Sequence, residues 1–253
     1  MSRVGTVAPM GETIEIQTAD GTAEAYLTGD AGRPGVLLYI DAIGLRPQIE
    51  QMADRIASWG YVVLAPNVFY RDGRAADLAP TADLREPEAR AAFFAGGVMV
   101  RVRGLTPDLA EPDAAAWIAA LERHAGSGPV GVTGYCMGAR LAVRTAGWHP
   151  GTVAAVGGFH GGGLVTEAPD SPHLSIAGST AAYVFGHADQ DQGMTLDHVA
   201  ALEETLQAAG RPHRNEVYEG AAHGYTMADT SVYDEAGTER HFAELRALLD
   251  RTL

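Results

Sequence analysis

The sequence predicts an α/β fold, with a mostly parallel central sheet covered by helices on both faces. Three observations carry the prediction. Short, continuous apolar runs recur along the chain, as expected of strands buried on both faces. Segments of helical periodicity alternate with them, the pattern of strands joined by crossover helices. A length of 253 residues, 46% hydrophobic and 20% charged, suits one domain (1–253) with a substantial core.

The chain opens as a hairpin. Thr13 to Gln17 and Ala23 to Leu27 flank Ala19-Asp20-Gly21, and Asp-Gly is a strong short-range turn signal. Gly35 to Ile40 is the first buried strand. Pro47 to Trp59 follows as a helix with Ile49, Met52, Ala53 and Ile56 at helical spacing, stopped by Gly60. Tyr61 to Ala65 is the next strand, ended by Pro66. The stretch 67–104 carries little periodicity beyond a short helix at Ala89 to Phe94. A longer helix is read over Pro112 to His124, with Trp117, Ile118 and Leu121 on one face. Pro129 to Thr133 is a buried strand running into Gly134, and Ala139 to Ala146 a helix. Strands at Val153 to Val156, Ala181 to Phe185 and Asn215 to Tyr218 alternate with helices at Leu196 to Ala209 and Thr238 to Leu249.

Composition narrows the function. A formal net charge of −14 argues against nucleic acid or an anionic membrane as a partner. No apolar run approaches the roughly 18 residues that span a bilayer, and Met1 to Thr6 lacks the apolar stretch of a signal peptide. The single cysteine excludes an internal disulfide framework and a multi-thiolate metal site, and the nine histidines show no HExxH-type pair. A cytoplasmic protein acting on a small molecule, without metal or cofactor, as a monomer or a homodimer, is the expectation.

Functional residues of such sheets lie at the carboxyl ends of strands. There, Gly134-Tyr135-Cys136-Met137-Gly138 fits G-x-nucleophile-x-G between a strand and a helix. The nucleophile occupies a strained turn, and the residues two before and two after must be small for strand and helix to pack. The helix N-terminus beneath favours the reactive thiolate. A lone cysteine is more often an inert core residue, but the flanking glycines and the strand–helix context select the nucleophile. An acid and then a base should follow in chain order. Asp189 in Phe185-Gly186-His187-Ala188-Asp189 and His223 in Gly220-Ala221-Ala222-His223-Gly224 sit at strand ends in that order, with Asp191 the alternative acid. His160-Gly161-Gly162-Gly163 looks like the oxyanion loop of lipases but follows the nucleophile rather than preceding it, so it is read as a pocket border, with His160 a candidate substrate contact.

These three blocks resemble the dienelactone hydrolase family, from about residue 12 to the C-terminus. The resemblance implies an α/β-hydrolase fold and a Cys-His-Asp triad of Cys136, His223 and Asp189 that hydrolyses a small-molecule ester or lactone through an acyl-enzyme. It implies backbone N–H groups of Ala42 and Met137 as the oxyanion hole, and places an acidic residue, here Asp41, to help generate the thiolate. Asp41 could instead hydrogen-bond its own loop. The family also binds a substrate carboxylate with an arginine shortly after the catalytic histidine. Here that stretch is Gly224-Tyr225-Thr226-Met227-Ala228-Asp229, so the namesake substrate is not expected unmodified. Arg71 or Arg74 could supply a cation, while Tyr70, Phe69, Phe93, Phe94 and Met227 suggest an apolar pocket. Two alternatives stay open: a non-hydrolytic lactonisation, isomerisation or cyclisation on the same site, and a binding protein without turnover.

Overall fold

The computed structural model describes residues 10–253; the N-terminal segment Met1 to Thr6 lies outside the described residues. Eight strands form one sheet in the order β1-β2-β4-β3-β5-β6-β7-β8. β1 (Glu12–Thr18) and β2 (Gly21–Thr28) make the expected hairpin, and β2 lies antiparallel to β4 (Val62–Pro66). From β4 onward every pairing is parallel, through β3 (Gly35–Tyr39), β5 (Val130–Tyr135), β6 (Val153–Phe159), β7 (Ala182–Ala188) and β8 (His213–Tyr218).

The central strands are apolar throughout because both faces are covered. Val36, Leu37, Leu38, Val132, Ala155 and Val156 are fully buried. Helix α1 (Pro47–Ala57) buries Ile49, Met52, Ala53 and Ile56, the four residues at helical spacing. The reversal of strand order at β3 and β5 is the topological switch point where such sheets open a crevice, and β5 ends there in Tyr135.

Two segments depart from the sequence reading. The helix expected from Pro112 begins at Pro107, as α5 (Pro107–Glu122), with Pro112 inside it. Proline marks a first helical turn well, but two prolines lie five residues apart and the earlier one holds that position. Pro112 costs the helix one internal hydrogen bond. The stretch 67–104 forms a cap of short helices, α2 (Ala75–Leu78), α3 (Pro87–Phe93) and α4 (Met99–Gly104), the last two joined by a π-turn at Phe94–Val98. Gly97, at φ 99°, kinks that turn in a conformation open to glycine. The remaining helices are α6 (Met137–Trp148), α7 (Leu196–Ala208) and α8 (Glu235–Thr252). Among the described residues no helix is long and apolar enough to cross a membrane.

Candidate active site

The turn between β5 and α6 is as tight as its glycines require. A Cβ on Gly134 would overlap the carbonyl of Gly138, and one on Gly138 would overlap the carbonyl of Ile40. Between them Cys136 takes φ 54° and ψ −116°, left-handed backbone that costs a non-glycine residue of order 1–3 kcal/mol. Its N–H is held by the Phe159 carbonyl at 3.1 Å. The strain lifts the side chain above the sheet edge, at the N-terminus of α6.

His223, on the loop after β8, brings Nε2 to 3.1 Å from Cys136 Sγ. Its Nδ1 lies 2.6 Å from Oδ2 of Asp191, whose side chain is only 7% exposed. The acid that orients the imidazole is therefore Asp191 and not Asp189. Asp189 instead accepts the Gly220 N–H at 3.0 Å and donates its own N–H to Ala221 at 2.7 Å, fastening the end of β7 to the histidine loop. Between the two aspartates Gln190 adopts φ 55°. That left-handed residue reverses the chain and returns Asp191 over the sheet, where Oδ1 accepts the Gly193 N–H at 2.8 Å.

The electrostatics agree with the geometry. Burial alone would lower the proton affinity of His223, but the hydrogen bonds and negative charges of Asp191 and Cys136 raise it to about 10. Burial would likewise raise Asp191, yet the bonds from His223 and Gly193 hold it below the usual carboxylate range. His160 behaves oppositely: fully buried and repelled by His223 and His241, it is held well below its ordinary value and stays neutral. It lines the pocket, its Nε2 lies 2.7 Å from Thr226 Oγ1, and its ring sits 5.4 Å from that of His223.

A cavity of about 500 Å³ opens over Cys136, bordered by Ile43, Phe94, Met99, Met227 and Val232 among others. Ala42 and Met137 line it, and their backbone N–H groups have no acceptor among the described residues. Tyr70 and Arg71 do not reach it. Tyr70 hydroxyl bonds Thr18 at 2.8 Å and Asp113 at 2.9 Å, and Arg71 pairs with Asp20 and Asp113, so both tie the β1–β2 turn to α5. Arg74 pairs with Glu24 at 2.7 Å and Phe69 is core.

Asp41 lines the cavity, but its carboxylate is engaged elsewhere. Oδ1 accepts the N–H groups of Ile43 and Gly44, and both oxygens receive Arg46, at 2.7 and 3.2 Å. The structure thus gives Asp41 the loop-holding role and not contact with the thiol. Arg46, which the sequence reading missed, also binds Asp229 at 2.6 and 3.1 Å, the Gly44 carbonyl, and Met227 Sδ at 3.3 Å. It joins the Ala42 loop to the loop that carries His223. Arg46→Leu should leave Asp41 buried and unpaired, lowering stability by about 3–5 kcal/mol; urea unfolding checks it. Arg46→Lys should recover only part, since an ammonium cannot span two carboxylates as the guanidinium does. Among the described residues no cluster of three or more His, Cys, Asp or Glu could hold a metal.

Comparison with known proteins finds relatives over most of the chain. Carboxymethylenebutenolidase of Rhodococcus opacus is 28% identical over 191 residues, 75% of this chain and 69% of that protein. Among solved structures, a dienelactone hydrolase-like promiscuous phosphotriesterase from metagenomic libraries superposes with TM-score 0.72 at 16% identity, over 96% of this chain and 98% of that one. Dienelactone hydrolase of Anabaena variabilis does so with TM-score 0.64 at 18% identity, over 98% of this chain and 100% of that one. At those identities the likeness shows the α/β-hydrolase fold. The sequence model of the dienelactone hydrolase family matches residues 23–253, so this chain belongs to that family and is a carboxylic ester or lactone hydrolase.

Proposed function

We propose that this protein hydrolyses a small-molecule ester or lactone through a thioester on Cys136, with His223 and Asp191 as its partners. The observation that carries the reading is the continuous line from Sγ through the imidazole to a buried carboxylate, 3.1 and 2.6 Å long in its two steps. The family alone supports ester or lactone cleavage; this line supports the nucleophile and its route.

His223, its proton affinity raised and its Nε2 3.1 Å from Sγ, takes the proton of Cys136 and so generates the attacking thiolate. The thiolate adds to the carbonyl carbon, and the N–H groups of Ala42 and Met137 receive the developing oxyanion. Collapse breaks the ester C–O bond, and His223 protonates the departing alkoxide. Water then attacks the thioester, giving its proton to His223, and the second collapse releases the acid and restores the thiolate. Throughout, Asp191 keeps the Nδ1 proton in place so that Nε2 faces the sulfur. The cavity borders named above suit an apolar acyl group.

The test is an acid quench during turnover of a short-chain enol lactone or chromogenic ester, followed by intact-protein mass. The expected result is an acyl adduct confined to Cys136 and a product heavier than substrate by one water. A product of unchanged mass would move the reaction to isomerisation or cyclisation, and turnover with no adduct under any quench would remove the covalent route.

A further inference from the structure

Cys136, Arg140 and Arg144 fall at positions i, i+4 and i+8 along α6. Helix geometry sets them on one stripe, each about 6 Å further along the axis. Arg140 borders the cavity over Cys136 and also a second cavity of about 510 Å³, which shares Val102, Met137 and Gly163 with the first. The second cavity is lined in addition by Arg103 and Arg144, and by one carboxylate, Asp170.

The three arginines differ in what they bind. Arg144 Nη2 donates to the Asp170 carbonyl at 2.6 Å and stands 3.5 Å from its carboxylate, and Arg103 Nε donates to the Met99 carbonyl at 2.9 Å. Arg140 is half-buried, yet among the described residues it has no hydrogen-bond acceptor and no ion-pair partner. A guanidinium carries five N–H donors, and those of Arg140, on the lining of both cavities, are left for water or a ligand. Desolvation lowers its proton affinity, and the nearby sulfur of Cys136 acts the other way. Arg46, more deeply buried, shows what a structural arginine looks like here, with two carboxylates and a carbonyl on it. In a chain with 32 acidic residues against 18 basic ones, a cation left without a carboxylate beside the nucleophile calls for a ligand.

We propose that the second cavity is a subsite for an anionic group of the substrate, a phosphate monoester or a carboxylate remote from the scissile carbonyl, with Arg140 between the two cavities and Arg144 and Arg103 beyond it. Three guanidinium groups against one carboxylate leave the lining two charges positive, so the doubly charged phosphate should bind better than a carboxylate. The substrate would then be elongated, an apolar acyl portion over Cys136 and an acidic end past Arg140. The proposal rests on Cys136 being the nucleophile of ester cleavage.

Its test uses matched chromogenic esters whose acyl chains end in methyl, carboxylate or phosphate, assayed at fixed ionic strength. Phosphate should exceed carboxylate, and carboxylate methyl, in kcat/KM. Arg140→Gln should lower the phosphate-to-methyl ratio by about tenfold or more, Arg144→Gln by less, and Arg140→Lys should keep part of it. Calorimetry of the Cys136→Ala protein with the same esters separates binding from turnover: the phosphate-ended ester should bind about tenfold tighter, and adding Arg140→Gln should erase the difference. Cys136-dependent hydrolysis with a ratio that Arg140→Gln leaves unmoved overturns the subsite and spares the esterase. Anion-selective binding lost with Arg140→Gln, without hydrolysis of any ester, does the reverse. If neither hydrolysis nor selective binding is seen, both fall.

Discussion

Cys136→Ala is expected to lower kcat/KM for a short-chain ester by about 10⁴- to 10⁶-fold, because the covalent route disappears while the oxyanion donors and pocket remain. Cys136→Ser should not rescue it. His223, tuned by Asp191 and by the sulfur itself, faces a position 3.1 Å from Nε2, and a serine hydroxyl has far less tendency to give up its proton than a thiol. The same residue carries a structural cost. At φ 54° and ψ −116° any side chain is strained, and only glycine adopts that conformation freely. Cys136→Gly should therefore be as inactive as the alanine variant yet more stable by about 1 kcal/mol, after the entropy of the added glycine is subtracted. For a domain this size that raises Tm by about 2–4 °C. Ester hydrolysis and thermal unfolding of both variants check the pair. A glycine variant less stable than the alanine one would mean that the turn is held by side-chain contacts and that the nucleophile stores no strain.

What could be read from the sequence was what local chemistry dictates. The elbow was legible because its two required glycines sit at fixed offsets from Cys136, whatever their contacts, and the central strands because burial on both faces leaves apolar runs such as Val36-Leu37-Leu38. The cap was not, since α3 and α4 are short and meet at a π-turn whose kink at Gly97 erases any period. Arg46 escaped notice for a different reason. Its partner Asp229 is 183 residues away, and no local pattern announces a pairing across that separation. For Asp41 two roles stood open, and the structure shows the loop hydrogen bonds with Ile43 and Gly44; the unread part was Arg46, five residues on, which holds Asp41 together with the distant Asp229. Tyr70 and Arg71 looked like pocket residues by their aromatic and basic character, but Asp113, buried in α5, binds both.

The proposed triad can draw its acid from either of two aspartates two residues apart, and with Asp191 in that role Asp191→Asn should lower kcat by about 10³- to 10⁴-fold. The asparagine amide can present N–H to Nδ1 where the carboxylate presents only lone pairs. The imidazole would then carry its proton on Nε2 and lose both orientation and the charge that supports the imidazolium. Asp189→Asn should cost less than about tenfold, because the amide oxygen still accepts the Gly220 N–H and the partnership is neutral on one side. The variants also separate in their dependence on pH. His223 is raised to about 10 by Asp191 and Cys136, so its contribution to stability is complete below the unfolded value of about 6.5 and is lost as the pH rises toward 10. Asp191→Asn removes one of the two supports. The alkaline limb of the activity profile should move to lower pH, and the fall in stability on the alkaline side should flatten. Asp189→Asn should shift neither. Rate profiles and urea midpoints from pH 6 to 10.5 for both variants distinguish them, and an alkaline limb that moves with Asp189 and not with Asp191 would return the acid to the first of the pair. The chemistry favours the second because only Gln190, turned left-handed, converts a strand that ends at Ala188 into a hook that carries a carboxylate back beneath the imidazole.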